Sequence, residues 1–420
     1  MTDQYELTML QAALRDGTVN RQCTFEAFTR RLPDGRRYGV VAGIGRIVEA
    51  VANFSFSEAE LERLRGILDG STVDYLANYR FDGDIDAYPE GELFFPGSPI
   101  LTVRGTFGSA GILETVILSI LNHDCAVAAA AARMVSAAEG RPIIEMGSRR
   151  THEHAAVAAA RACYLAGFTA TSNLEAGRSY GIPTAGTSAH SFTLLHDTEE
   201  SAFRSQIAAL GPKTTLLVDT YDITKGIATA IKVVGPDLGA VRIDSGDLGV
   251  LARSARRQLD GLGAKNTRIV LSGDLDEYAI AALRSEPVDM YGVGTSVVTG
   301  SGAPTASMVY KLVEVDGRPV AKRSENKKSY GGRKLALRRY RETGTATEEI
   351  IYLANDEAPE PAEFDRQLPQ PLFRAGRPVP NLPTLDDSRD HLARGLVSLP
   401  WAGLKLSRGE PAIPTTVLVP

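Results

Sequence analysis

Between residues 142 and 295, short apolar or β-branched runs recur at intervals, and each ends in small or polar residues. The runs are Ile143-Ile144, Phe168-Thr169-Ala170, Thr184-Ala185, Leu216-Leu217-Val218, Val241-Arg242-Ile243, Ile269-Val270-Leu271 and Met290-Tyr291-Gly292-Val293. Helix-like stretches, such as 154–166 and 251–259, separate most of them. Such alternation implies a parallel sheet, because parallel neighbours need a long crossover connection. About seven units in roughly 155 residues predict an irregular α/β barrel of about seven strands, closed or nearly closed. An open doubly wound sheet is the alternative.

The flanks read differently. Residues 25–31 and 38–41 have strand character and are joined by the turn Pro33-Asp34-Gly35-Arg36. Ser57 precedes Glu58-Ala59-Glu60, a helix start with a capping hydroxyl and acids at the positive end. From 81 to 105, short β segments are punctuated by Pro89-Glu90-Gly91 and Phe95-Pro96-Gly97, as in a small β sandwich. Residues 109–139 read as one or two helices, closed by Gly140 and Pro142. Residues 355–420 hold 11 of the 22 prolines, which predicts extended chain and short helices rather than long ones. The expected organisation is a catalytic α/β barrel over 139–309 and a discontinuous α/β sandwich domain from 1–138 and 310–420.

Charge and cysteine usage narrow the function. Fifty-one acidic residues against 46 basic ones give a net charge of −5, which argues against a nucleic-acid or membrane-surface partner. No uninterrupted apolar run approaches the roughly 18 residues of a membrane span; the longest covers 125–132. The first residues, Met1-Thr2-Asp3-Gln4-Tyr5, lack the basic and apolar segments of a signal peptide. Cys23, Cys125 and Cys163 are scattered. This predicts a reducing, cytoplasmic setting and excludes a disulfide framework or a four-cysteine zinc site.

The polar residues gather at the C-terminal ends of the runs. These ends read Glu145-Met146-Gly147-Ser148-Arg149-Arg150, Thr171-Ser172-Asn173, Gly186-Thr187-Ser188-Ala189-His190-Ser191, Asp219-Thr220-Tyr221-Asp222, Asp244-Ser245-Gly246-Asp247, Ser272-Gly273-Asp274 and Gly294-Thr295-Ser296. In an α/β barrel such ends converge on one mouth, where active sites sit. Any one of them is also explained as a helix cap; seven in register, with His and Arg among them, favour a site. Ser-Gly-Asp-Leu occurs at 245–248 and again at 272–275, and turns of this kind leave backbone N–H groups for an anion. Gly292-Val293-Gly294-Thr295-Ser296 is a third such turn, without the last glycine of a dinucleotide fingerprint, and no Walker sequence exists. Phosphate is therefore expected on barrel loops.

His190 and Asp219 form a candidate pair, the carboxylate fixing the imidazole tautomer of a base, ligand or nucleophile. His152-x-His154 is like the paired histidines of metal-dependent barrel hydrolases. It lies several residues beyond its strand, however, and the last strand ends in Gly-Thr-Ser without a metal-binding Asp.

Taken in order, these motifs resemble nicotinate phosphoribosyltransferases, which are type II phosphoribosyltransferases. The resemblance begins at Thr2-Asp3-Gln4-Tyr5-Glu6-Leu7-Thr8-Met9. It runs through Phe25-Glu26, Arg30-Arg31-Leu32-Pro33, the turns Pro89-Glu90-Gly91 and Phe95-Pro96-Gly97 and the strand ends above, and closes with Tyr310-Lys311-Leu312-Val313. It implies a reaction in which nicotinate and phosphoribosyl pyrophosphate give nicotinate mononucleotide and pyrophosphate, coupled to ATP hydrolysis. It further implies Mg²⁺ and a homodimer with shared active sites.

Residue by residue, the resemblance makes His190 the phosphorylated histidine and Asp219 its orienting carboxylate. Asp244 would stabilise charge on the ribose. Tyr5 of a partner subunit, Met146, Arg149, Ser172 and Arg242 would hold nicotinate. Gly246, Gly273, Asp274, Gly294 and Thr295 would hold the phosphate, with Arg30, Arg31 and Lys327 as looser candidates for pyrophosphate or ATP. Met146 replaces the usual Phe, leaving the aromatic sandwich one-sided, and Ala170 stands where Gly is common. Ser172 lies where the nicotinamide-using relatives carry Asp, which favours the acid substrate. A nicotinamide or quinolinate phosphoribosyltransferase and a non-catalytic nucleotide-binding relative are the alternatives.

Overall fold

Of the seven apolar runs, six form one parallel sheet in the computed structural model, which describes residues 1–322, 330–360 and 362–419. The strands stand in the order Ala170–Thr171, Ile143–Glu145, Met290–Val293, Arg268–Leu271, Ala240–Ile243, Thr215–Leu217. Every neighbouring pair is parallel. The run Thr184-Ala185 supplies only an isolated bridge from Thr184 to Thr171. It is hemmed by Pro183, which has no N–H to give, and by Gly186. The expected seven strands are therefore six, in a curled α/β sheet.

Residues 130–302 form one compact unit around this sheet; 1–129 with 303–420 form the other. The sequence expectation put these breaks at 139 and 309. Helices Glu153–Leu165, Ile223–Val234 and Leu248–Gly261 are among the crossovers. The first buries Ala156, Ala158, Ala159, Ala160 and Ala162. Such small side chains let a helix approach its neighbours closely, and alanine costs the helix nothing in propensity.

The other unit is built on a seven-stranded antiparallel sheet. Strand Gln22–Thr29 lies between Met308–Val315 and Leu101–Thr106, and Phe25 stacks on Tyr310 with ring centroids 4.9 Å apart. The hairpin expected at 25–41 does not form. The turn exists, with Arg36 N–H donating to the Pro33 carbonyl at 3.0 Å, but Gly39–Val40 pairs with Leu93–Phe94 instead. A four-stranded sheet carries buried Arg338, which pairs with buried Glu92 and Glu349. Ser57 caps helix Glu58–Leu64 in a capping box, as expected. The tail departs from expectation: Leu385–Ser398 is a 14-residue helix capped by Thr384. The nearest prolines flank it at 383 and 400 and leave the stretch between them free of proline.

One helical stretch, Phe107–Ala138, is long and apolar enough on average to cross a bilayer, with mean hydropathy 1.5. It holds no long uninterrupted apolar run, because Glu114, Asn122, His123 and Asp124 fall within it. In the fold 72% of that window is buried within the protein, the behaviour of a core helix.

Candidate active site

The parallel ladder sets the site. Leu271 pairs with Ile243, so Ser272 and Asp244 are the next residues beyond the ladder on adjacent strands, and Ser272 N–H donates to the Ile243 carbonyl at 3.0 Å. Arg242 and Asp244 are two residues apart, and alternate residues of a strand share a face. Arg242 Nη2 accordingly donates to Asp244 Oδ1 at 2.7 Å. Its Nε donates to Ser272 Oγ at 2.7 Å and its Nη1 to Thr187 Oγ1 at 3.2 Å. Ser272 Oγ in turn donates to Asp244 Oδ1. Burial pushes the Asp244 carboxyl up, but the hydrogen bonds from Ser272 and Arg242 outweigh it and hold the group below its ordinary value.

Arg242 and Asp244 line a cavity of about 350 Å³ together with Met146, Ser148, Arg149, Ser172, Thr187, His190 and Leu217. Gly292 makes room for Met146: a Cβ there would meet its Sδ at 2.9 Å. Beneath the loop that carries Arg149, buried Glu145 accepts from Thr171 Oγ1 and from the Gly147 N–H. Desolvation raises the Glu145 carboxyl.

His190 opens helix His190–Leu194 and is 42% exposed. The expected hydrogen bond to Asp219 is not made. His190 Nε2 stands 3.9 Å from Asp219 Oδ1 and 4.0 Å from Asp244 Oδ2, whereas Nδ1 lies 3.2 Å from Thr220 Oγ1. Asp219 instead uses Oδ2, which accepts from Asp244 N–H at 2.8 Å and Ser245 Oγ at 3.0 Å. Its Oδ1 is buried without a hydrogen-bond partner and looks toward the imidazole.

Comparison with known proteins decides the family. Residues 1–122 match the model of the nicotinate phosphoribosyltransferase (NAPRTase) N-terminal domain. Nicotinate phosphoribosyltransferase pncB1 of Mycobacterium tuberculosis is 64% identical, over 100% of this chain and 95% of that protein. The chain belongs to the nicotinate phosphoribosyltransferase family. The fold agrees. The crystal structure of human nicotinic acid phosphoribosyltransferase superposes with a TM-score of 0.85 at 25% identity, covering 99% of this chain and 97% of that one. Nicotinate-nucleotide pyrophosphorylase from Pyrococcus furiosus gives 0.78 at 25% identity, with 95% of each chain covered.

Of the residues that the family resemblance picked out, the structure gathers Met146, Arg149, Ser172, His190, Arg242 and Asp244 around one cavity. Gly246, Gly273, Asp274, Gly294 and Thr295 lie on strand ends of the same sheet, outside that lining. Gly273 has φ +105°, and a Cβ on it would fall 2.1 Å from the Asp244 carbonyl oxygen. Asp274 itself adopts φ +49°, a conformation non-glycine residues reach at a cost.

Tyr5, Arg30 and Arg31 belong to the other unit. Tyr5 is 45% exposed on helix Gln4–Asp16, and burial, reinforced by Glu114, pushes its phenol up to about 12. Arg30 Nε is buried without a hydrogen-bond partner. Arg31 lines a separate cavity of about 380 Å³ with Arg36 and Arg408. Lys327 lies outside the described residues.

Sequence reasoning gave no role to Thr187, Thr220 or Ser272, although each stands inside a quoted motif. The register of adjacent strands, which pairs position 272 with 244, is the signal that identifies Ser272.

Proposed function

We propose that this chain transfers the phosphoribosyl group of phosphoribosyl pyrophosphate to nicotinate, giving nicotinate mononucleotide and pyrophosphate. The observation that carries this reading is a single cavity shared by Arg149, Arg242 and Asp244, in a chain 64% identical to a named nicotinate phosphoribosyltransferase. The curled sheet is the wall of an irregular α/β barrel, and the second unit is an α/β sandwich.

In the reaction, the lone pair of the pyridine nitrogen forms the new bond to the ribose anomeric carbon. The carbon–oxygen bond to pyrophosphate breaks, and its electron pair leaves with pyrophosphate. The attacking nitrogen carries no proton, so the step needs no general base. It does need the positive charge on the sugar to be stabilised, and a carboxylate held ionised beside it does so. Asp244 is that group. Arg149 makes no hydrogen bond or ion pair among the described residues, so its charge is available to the nicotinate carboxylate. Three of the five guanidinium N–H groups of Arg242 are spent on Thr187, Asp244 and Ser272. The other two, one on each terminal nitrogen, remain for the substrate. Met146 contributes a polarisable face to the ring. Gly246, Gly273, Asp274, Gly294 and Thr295 receive the 5′-phosphate through backbone N–H groups.

His190, free of base duty, takes the γ-phosphoryl group of ATP: a bond from Nε2 to the γ-phosphorus forms, the bond from that phosphorus to the β,γ-bridging oxygen breaks, and its electron pair leaves with ADP. An Nδ1–H donated to Thr220 leaves the Nε2 lone pair as the nucleophile. Among the described residues no three His, Cys, Asp or Glu side chains can hold a metal. Mg²⁺ would therefore be held by the substrate's own phosphates with the Asp244 carboxylate, where it would neutralise the leaving pyrophosphate. We further propose a homodimer in which Tyr5 of one copy covers the ring bound by the other; Tyr5 and Met9 leave exposed apolar surface on their helix. Free, buried Cys23, Cys125 and Cys163 suit the cytoplasm.

Incubation with phosphoribosyl pyrophosphate and labelled nicotinate, with and without ATP, tests the reading, with nicotinamide and quinolinate in parallel. Labelled mononucleotide from nicotinate, increased by ATP, is expected. Preference for either other substrate, or no product, would overturn it.

A further inference from the structure

Ser272 lies behind the cavity rather than in its lining and is 3% exposed. Its hydroxyl has two partners: it accepts from Arg242 Nε at 2.7 Å and donates to Asp244 Oδ1. A hydroxyl has one proton to give, and here the carboxylate takes it. The backbone of Ser272 is fixed by the bond to Ile243, and its Cβ packs closely over Gly292, where an added Cβ would meet it at 3.2 Å. The hydroxyl is thus an immobile strut between a cation and a carboxylate that themselves pair at 2.7 Å.

A salt bridge between Arg242 and Asp244 alone fixes one edge of the guanidinium and leaves the plane free to swing. The Nε contact to Ser272 and the Nη1 contact to Thr187 define that plane. The plane decides where the two unspent N–H groups point, and a flat carboxylate rewards donors held in its own plane.

We infer that Ser272 is a positioning residue that sets the guanidinium plane of Arg242 for the carboxylate of the substrate and, through the same hydroxyl, fixes the carboxylate of Asp244. This rests on the nicotinate-transfer reading above. Ser272 stands outside the cavity lining, and Asp244 keeps its bond from Arg242 Nη2 without the serine hydroxyl. The loss of Ser272 therefore falls mainly on recognition of nicotinate and much less on that of phosphoribosyl pyrophosphate.

The test compares wild type, Ser272→Ala and Ser272→Cys in steady-state transfer, with both substrates varied and melting temperature measured alongside. Ser272→Ala is expected to raise the KM for nicotinate about tenfold or more, the worth of one hydrogen bond to a charged group. The KM for phosphoribosyl pyrophosphate should change less than about twofold. Ser272→Cys, close in size but a weaker donor, should fall between the two enzymes, and it carries the test if the alanine variant does not fold. An unchanged nicotinate KM in both variants, or an equal rise for both substrates, overturns the inference. Wild-type enzyme that makes no nicotinate mononucleotide overturns the underlying reading instead.

Discussion

Arg242 Nη2 donates to Asp244 Oδ1 at 2.7 Å, and the two residues sit two positions apart at the end of one strand. The cation proposed to address nicotinate and the carboxylate proposed to address the ribose are therefore one electrostatic unit. Because the pair is also tied to Ser272, Asp244 remains ionised although half-buried. Its folded value lies below the ordinary carboxyl value, so the stabilisation it brings is present above that ordinary value. It is lost only as pH falls through the lower folded one. Nicotinate transfer should accordingly keep Asp244 ionised throughout the neutral and mildly acidic range, its acid limb lying below the ordinary carboxyl range. A pH profile of kcat/KM in wild type checks this; an acid limb from Asp244 near neutrality would contradict it.

Gly273 permits the close approach of two strand ends. With φ +105° and the Asp244 carbonyl oxygen 2.1 Å from any added Cβ, Gly273→Ala must shift the backbone that carries both residues. A loss of about 1–3 kcal/mol in stability is expected, with weakened phosphoribosyl pyrophosphate binding. Denaturant midpoints and the substrate's KM measure both. Wild-type values for both would show that this turn tolerates a side chain.

Ser172 lines the cavity with Arg149. Ser172→Asp would set a carboxylate near the carboxylate of nicotinate, and like charges in a partly desolvated cavity repel strongly. The ratio of nicotinate to nicotinamide turnover should fall about tenfold or more. An unchanged ratio would remove Ser172 from substrate selection.

His190→Ala should abolish ATPase activity and ATP stimulation while leaving slow, uncoupled phosphoribosyl transfer, because Asp244 and the phosphate turns are untouched. Thr220→Val should weaken the ATP-dependent step by freeing Nδ1. Labelling with γ-labelled ATP followed by a basic quench gives the readout. Acid-labile label that persists in His190→Ala, or maps to His152, His154 or His196, would exclude His190 as the acceptor.

Much of the parallel-sheet unit was legible because its signals are local. Apolar runs with polar C-terminal ends marked each strand, and the end of each strand in a parallel α/β sheet is where function gathers. Two kinds of strand-end polar residue could not be separated that way. Asp222, Asp247, Asp276 and Asn173 cap helices through their side chains, whereas Asp219 accepts from the Asp244 N–H and Asp244 pairs with Arg242; only the three-dimensional register distinguishes them. The role given to Asp219 illustrates the same limit. A neighbouring carboxylate was expected to hold His190, but Asp219 turns Oδ2 to the Asp244 backbone and leaves the ring to Thr220. The hairpin at 25–41 failed because strand pairing there is non-local: Gln22–Thr29 found Met308–Val315, far along the chain. Proline count misled in the tail, where position rather than number decides whether a helix fits.

The most direct test of the account is the kcat for nicotinate mononucleotide formation in Asp244→Asn beside wild type, with equimolar pyrophosphate release and melting temperature recorded. The substitution keeps the shape and removes the charge proposed to stabilise the ribose. A loss of about a hundredfold or more in a folded protein is the expected result. A folded Asp244→Asn enzyme that turns over at the wild-type rate would contradict the assignment of this cavity as the site of transfer.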